Sequence, residues 1–204
     1  MAIALIDYGA GNLHSVHNAL KAAGAVDVAI TADPDMVAGA DRIVLPGVGA
    51  FAACMAALSA IDGMVESMER RVHDHGVPFL GICVGMQLLA DAGVEHGTHP
   101  GLGWIGGTVR RIEPATPDIK VPHMGWNDVT PAHPHPMVEA GEAYFLHSYH
   151  FDVSHDADIL ARTDHGGALV AAVGRGNVIG VQFHPEKSQD YGINMLKRFL
   201  TWAP

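Results

Sequence analysis

Along the first half of the chain, short apolar runs alternate with stretches whose apolar positions recur every three or four residues. Ile3–Asp7 predicts a strand, and Asp7-Tyr8-Gly9-Ala10-Gly11-Asn12 predicts a turn. Leu13–Ala23 sets Val16, Leu20 and Ala23 at helical spacing, and Gly24 stands where a helix would close. Asp27–Ile30 and Arg42–Leu45 predict further strands, the second ended by Pro46-Gly47-Val48-Gly49. Met64–His75 carries Met64, Val65, Met68 and Val72 on one helical face. Phe79-Leu80-Gly81-Ile82 predicts a fourth, buried strand, and Gly85–Ala92 a helix returning from it. Strands and helices in alternation predict βαβ units and a parallel sheet covered on both faces.

The second half changes character. Thr108–Ile112, Trp126–Thr130, Glu142–Phe145, His150–Val153, Ile159–Thr163, Ala168–Val173 and Asn177–Phe183 predict short strands with turns between them, a pattern that fits antiparallel hairpins. One helix, Ile193–Trp202, closes the chain. The run Thr130-Pro131-Ala132-His133-Pro134-His135-Pro136 predicts a rigid loop and not a domain boundary. The expectation is one α/β domain over residues 1–204. Its mixed, mostly parallel central sheet is flanked by helices, and its later strands are partly antiparallel.

Composition narrows the function. Apolar residues make up 49% of the 204 residues and charged residues 17%, a globular balance. Twelve Lys and Arg face 22 Asp and Glu, a formal net charge of −10, which argues against a nucleic-acid binder with its concentrated basic face. Two cysteines exclude a disulfide scaffold and a four-cysteine zinc site. No apolar run approaches the length of a membrane span, and Met1 leads into Ala2-Ile3-Ala4-Leu5-Ile6 with no basic region of a signal peptide. A soluble protein in the reducing cytoplasm is expected.

The 14 histidines invite a metal reading, but no pair has zinc-ligand spacing on a helix. His73-Asp74-His75 turns its imidazoles to different helix faces, and His133-Pro134-His135 lies in the proline loop. No metal site and no cofactor are expected. Gly101-Leu102-Gly103-Trp104-Ile105-Gly106 matches the dinucleotide pattern letter for letter, yet it leads into a strand and offers pyrophosphate no helix N-terminus. Gly9-Ala10-Gly11 has His14 where a third glycine belongs.

Phe79-Leu80-Gly81-Ile82-Cys83-Val84-Gly85-Met86-Gln87 is different in kind. It reads strand, Gly-x-Cys-x-Gly, helix: a nucleophile elbow with cysteine in place of serine. Such a turn strains the nucleophile's backbone, and Gly81 and Gly85 must be small because strand and helix approach closely. A helix N-terminus under Cys83 would favour thiolate, and the Val84 N–H would point where an oxyanion forms. A buried structural cysteine in a tight turn is the other reading at this point. Cys54, in an alanine-rich helical stretch, reads as core.

A cysteine nucleophile needs a base, and the base an orienting group. Val178–Phe183 is an apolar strand ending in His184-Pro185-Glu186. Residues two apart in an extended segment face the same side, so the Glu186 carboxylate can reach the His184 ring and fix its tautomer.

With these residues in view, the chain resembles the class I (triad) glutamine amidotransferases over essentially its whole length. The resemblance implies Cys83, His184 and Glu186 as the triad and L-glutamine as substrate. It implies Val84, with Val48 and Gly49, as the oxyanion hole, the glycine pair 47 and 49 letting the intervening peptide rotate. It implies Gln87, Gly49, His147, Ser148 and Tyr149 around the glutamine, although His147 also reads as a strand-end structural histidine. Asp7–Asn12, Leu45–Phe51, Pro122-His123-Met124-Gly125-Trp126-Asn127, Tyr144–Tyr149 and His184–Ser188 narrow the resemblance to one branch. Its members hand ammonia to a cyclase subunit, a (β/α)8 barrel, within a heterodimer. The branch implies Asn12, Trp126, Tyr144 and Lys187 at that interface and ammonia passage. Core for Trp126, a plain strand residue for Tyr144 and a solvated charge for Lys187 remain the other readings. A stand-alone cysteine hydrolase of the γ-glutamyl hydrolase type, and an amidotransferase for another acceptor, are the competing functions.

Overall fold

The computed structural model describes residues 1–116 and 118–204. β1 (Ala2–Ile6) leads through α1 (Leu13–Ala22) to β2 (Asp27–Thr31), and α2 (Pro34–Ala38) returns the chain to β3 (Arg42–Gly47). α3 (Phe51–Ser59) and α4 (Met64–Glu69) follow, the latter continued by a π-helical turn at Arg70–Asp74. β4 (Phe79–Cys83) runs straight into α5 (Val84–Gln87). Three short strands come next: β5 (Ala92–Gly93), β6 (His99–Pro100) and β7 (Gly107–Arg111). β8 (His123–Pro131), β9 (Gly141–His147), β10 (Tyr149–Val153), β11 (Ile159–Asp164), β12 (Ala168–Arg175) and β13 (Val178–Val181) precede the closing helix α6 (Gln189–Thr201).

The main sheet has the order β2-β1-β3-β4-β13-β12-β11-β8-β9. Its first five strands are parallel, in the order of a flavodoxin-like sheet. From β13 outward the pairings are antiparallel. The two halves follow from two sequence patterns. β3, β4 and β13 are buried at every residue, as central parallel strands covered by helices must be. β8 instead alternates, with His123 and Val129 buried while Met124 and Trp126 face out. A smaller sheet, β10-β7-β5-β6, packs beside the first. Among the described residues no single helix is long and apolar enough to cross a membrane.

Three expectations are corrected. α2 went unread because five residues carry no periodicity, though Asp33 caps it by accepting from the Asp35 N–H. α6 begins at Gln189, four residues before Ile193. The helix expected over Gly85–Ala92 is a single turn. The physical reason lies in the glycine segment that mimicked a nucleotide site. Leu102 N–H donates to the Leu88 carbonyl (2.8 Å), Ile105 to Leu89 (3.0 Å), Gly103 to Ala90 (3.0 Å) and Gly101 to Asp91 (2.9 Å). Leu89 and Ala90 already bond back three residues, to Met86 and Gln87, and the glycine segment's donors satisfy the carbonyls left open after this tightened turn. The approach is so close that a Cβ on Gly101 would lie 2.2 Å from the Ala90 oxygen.

Candidate active site

β4 ends between β3 and β13, near the middle of the sheet, and the chain reverses into α5 at one residue. That residue is Cys83, at φ 55° and ψ −110°, a conformation L side chains rarely adopt. The turn closes because nothing stands in its way. A Cβ on Gly85 would lie 1.9 Å from the Leu45 carbonyl oxygen, and one on Gly81 2.6 Å from that of Gly85. Gly47 proves to be a packing glycine of the same kind, since a Cβ there would meet the Gly85 nitrogen and the Tyr8 hydroxyl, each at 2.7 Å. The rotation expected of a Gly47–Gly49 pair therefore rests on Gly49, at φ 108° with open space around it. Its neighbour Val48 has its carbonyl held by the Cys54 thiol at 3.3 Å, so Cys54 braces this loop from the core. The helix-dipole support expected for Cys83 is also smaller than the sequence suggested, because α5 has only four residues to align.

His184 follows β13 in an extended conformation, and Pro185 then opens a 3-10 turn. The His184 Nδ1 donates to Glu186 Oε1 at 2.9 Å, with both side chains buried. The contact is the expected one, but a 3-10 turn and not an extended strand makes it. Nε2 is left to the Cys83 thiol. Burial pulls the His184 pKa down. The hydrogen bonds to Cys83 and Glu186 outweigh it and raise it to about 9.

Cys83 and His184 open onto a cavity of about 340 Å³. Its walls gather Val48, Gly49, Val84, Gln87, His147, Ser148, Tyr149 and Lys187, all of them singled out in the sequence. Pro122 and Leu146, which the sequence offered only as members of two motifs, complete it with Glu95, which was not anticipated. Gln87 Nε2 donates to the Tyr149 carbonyl and to Gln182 Oε1, both at 2.9 Å. Both its hydrogens are thus engaged, which leaves Oε1 to meet an incoming cationic group. Gln182 itself is fully buried and reaches Cys83 Sγ with its Nε2 at 3.7 Å. It was missed inside an apolar strand, though the two-residue rule that pairs neighbours on one face places it beside His184. Among the described residues no group of His, Cys, Asp and Glu side chains is arranged to hold a metal.

Two further buried histidines matter for stability. Burial, helped by His165, takes His123 down to about 4. Burial, against the hydrogen bond to the Tyr149 carbonyl and with His123, His150 and His165 nearby, takes His147 down to about 3. A histidine lowered on folding contributes stability that is present above its ordinary value of about 6.5 and lost as pH falls towards the folded value. His184 is raised, so its contribution is present below about 6.5 and lost as pH rises towards 9. Urea-unfolding midpoints measured from pH 4 to 9 are expected to peak near pH 6.5. Cys83→Ala is expected to flatten the alkaline arm only.

The family model for glutamine amidotransferase class-I matches residues 4–202. The chain belongs to the class-I glutamine amidotransferase family. This amidotransferase is 60% identical over 205 residues to "Imidazole glycerol phosphate synthase subunit HisH" of Zymomonas mobilis, covering 99% of this chain and 96% of that one. It is 54% identical over 214 residues to the protein of the same name from Rhodospirillum rubrum, and both chains are covered in full. A crystal structure titled glutamine amidotransferase superposes with a TM-score of 0.75 at 19% identity, over 98% of this chain and 99% of the other. The PurLQS structure from Thermotoga maritima gives 0.72 at 19%, over 98% and 95%.

Of the four remaining residues singled out in the amidotransferase sequence, Lys187 lines the cavity and Asn12, Trp126 and Tyr144 do not. Trp126 and Tyr144 are cross-strand partners on the outer face of β8 and β9, with ring centroids 6.2 Å apart and nearly perpendicular planes. Lys187 Nζ sits 5.8 Å over the Tyr144 ring. Trp126 is 48% exposed, so it is not core. Asn12 is exposed at the start of α1, which packs on the Pro185–Lys187 turn. Its neighbour Gly11 abuts Pro46.

Proposed function

We propose that this amidotransferase is the glutaminase subunit of an imidazole glycerol phosphate synthase. It hydrolyses L-glutamine and passes the ammonia to a cyclase subunit, a (β/α)8 barrel, with which it forms a heterodimer. The products there are imidazole glycerol phosphate and an aminoimidazole carboxamide ribotide, in histidine biosynthesis in the cytoplasm. The observation that carries the reading is the strained Cys83 opening onto the same cavity as His184, whose ring is held by the buried Glu186. The full-length identity to proteins named as HisH subunits selects this branch over a stand-alone hydrolase or an amidotransferase for another acceptor.

The chemistry follows from the groups in place. With His184 already holding the proton that Cys83 gives up, the sulfur attacks the glutamine side-chain carboxamide carbon. The resulting oxyanion is met by the Val84 N–H and by an N–H of the Val48–Gly49 segment. Loss of one such donor costs on the order of 10²–10³ in rate. The C–N bond breaks as His184 returns its proton to nitrogen, releasing ammonia and leaving a γ-glutamyl thioester. His184 then deprotonates a water that attacks the same carbon, the C–S bond breaks, and glutamate departs. Glu186 holds the imidazole tautomer throughout. Gln87 Oε1 accepts from the substrate ammonium, while Gly49 and the His147-Ser148-Tyr149 backbone flank its amino-acid end.

Docking is supported by the outward face of β8 and β9, where Met124, Trp126 and Leu146 are 65%, 48% and 38% exposed and Leu146 also lines the cavity. Such an apolar patch suits a partner interface. Asn12, Trp126, Tyr144 and Lys187 are assigned to that interface and to the ammonia passage. The diazo-ketone analogue of glutamine (diazo-oxo-norleucine) tests substrate and nucleophile together. Peptide mapping is expected to find the label on Cys83 and to find glutamine protecting it. Labelling at Cys54, or none in the presence of the cyclase, would overturn the assignment.

A further inference from the structure

We propose that His123 and His147 form a neutral, one-way hydrogen-bond relay that positions the 147–149 backbone against the glutamine pocket. The proposal rests on the amidotransferase reading for the identity of the ligand and on geometry for the relay itself. The two rings are directly opposed across β8 and β9, and His123 Nδ1 lies 3.0 Å from His147 Nε2. Each end of the pair has a fixed polarity. His147 Nδ1 is 2.8 Å from the Tyr149 carbonyl, which only accepts, so this nitrogen carries the proton and Nε2 is the acceptor. His123 must then donate from Nδ1 and accept at Nε2. The group facing that Nε2 is the Asn127 amide nitrogen, at 3.0 Å. The orientation of the Asn127 amide is itself fixed, because Nδ2 also donates to the Asp164 carbonyl at 2.7 Å and Oδ1 accepts from the Asp128 N–H at 2.9 Å.

Protons therefore point in one direction along the chain Asn127, His123, His147, Tyr149 carbonyl. Each ring donates once and accepts once, so all four ring nitrogens are satisfied while both rings are neutral. A protonated ring would set two donors face to face. Burial works the same way, since it holds both rings well below their ordinary pKa. Phe145 and His165 stack on the two faces of His123, with centroids at 4.6 and 4.2 Å, and fix its plane.

The terminus of the relay gives it a purpose. The Tyr149 carbonyl that takes the His147 proton also takes one from Gln87, so one acceptor ties the strand-end backbone to the elbow helix. The starting end lies on β8, whose opposite face carries Met124 and Trp126. His123 and Asn127 touch nothing in the cavity, and their effect is through His147. They are positioning residues.

Both rings must be Nδ1–H tautomers, the less common form of a free neutral histidine. Nitrogen-15 chemical shifts of ring-labelled full-length protein at pH 7 are expected to show this for His123 and His147. His123→Phe keeps the stacked ring and removes the relay. In the complex with the cyclase it is expected to raise the KM for glutamine about tenfold, with the larger effect on KM and not on kcat. His123→Asn places an amide donor where Nδ1 stood and is expected to restore most of the loss. An Nε2–H tautomer at either ring, a KM unchanged in His123→Phe, or no difference between the two variants would overturn the relay. A wild-type complex that fails to hydrolyse glutamine would instead overturn the amidotransferase reading, and the tautomer measurement would still decide the relay on its own.

Discussion

Replacing Cys83 by alanine is expected to lower kcat for glutamine hydrolysis by at least about 10⁴-fold, the scale of loss when a covalent nucleophile is removed from a triad. The argument is geometric. Cys83 is the residue at which β4 becomes α5, and it lines one cavity together with His184 and Val84. Cys54 cannot stand in for it, since that thiol is buried against the Val48 carbonyl, outside the walls of the cavity. Glutamine binding should persist in the variant, because Gln87 and the His147–Tyr149 segment are untouched. Calorimetry on the inactive protein checks that half of the expectation. Turnover within tenfold of wild type would remove Cys83 from the chemistry.

Gly85→Ala is expected to cost at least about 4 kcal/mol, well above the effect of an ordinary substitution. The added methyl would sit 1.9 Å from the Leu45 carbonyl oxygen. That oxygen belongs to a central strand buried on both faces, so neither side can yield by a rotamer change. Domains of this size are stable by roughly 5–15 kcal/mol, so the variant should express poorly or unfold at a much lower urea concentration. A wild-type unfolding midpoint would show that helix and strand can separate here without penalty, against the packing described.

These two residues also mark what was readable from the chain. Gly81, Cys83 and Gly85 announce a strained turn because the constraint is local: five consecutive residues fix one backbone geometry. His184 and Glu186 are two apart, so their contact was within reach even though a 3-10 turn, and not an extended strand, makes it. The half-parallel, half-antiparallel sheet followed from strands alternating with helices in the first half and from successive short strands joined by turns in the second. What stayed hidden depends on register or on competition for hydrogen bonds. His123 and His147 are 24 residues apart, and only the alignment of β8 with β9 brings them opposite each other. Gln182 was lost in an apolar strand because a single polar residue there gives no periodic signal. The length of α5 was overestimated because the apolar pattern continues past Gln87, while the carbonyls of Leu88–Asp91 that follow it bond to a distant segment that begins at Gly101.

That segment carries a wider lesson about motifs. Gly101-Leu102-Gly103-Trp104-Ile105-Gly106 spells a phosphate cradle, and its N–H groups at Gly101, Leu102, Gly103 and Ile105 are taken by backbone carbonyls. Yet the physics behind the spelling is present in full. Glycine lets a backbone come near enough for consecutive N–H groups to converge on a set of oxygens. Here the oxygens are the peptide carbonyls that follow the nucleophile's helix. Read this way, the pattern encodes a convergence of donors and is silent about the acceptor. In this chain the acceptor is internal, and the order a nucleotide-binding loop would lend its ligand is lent to the stretch Leu88–Asp91 by which the chain leaves the nucleophile's helix.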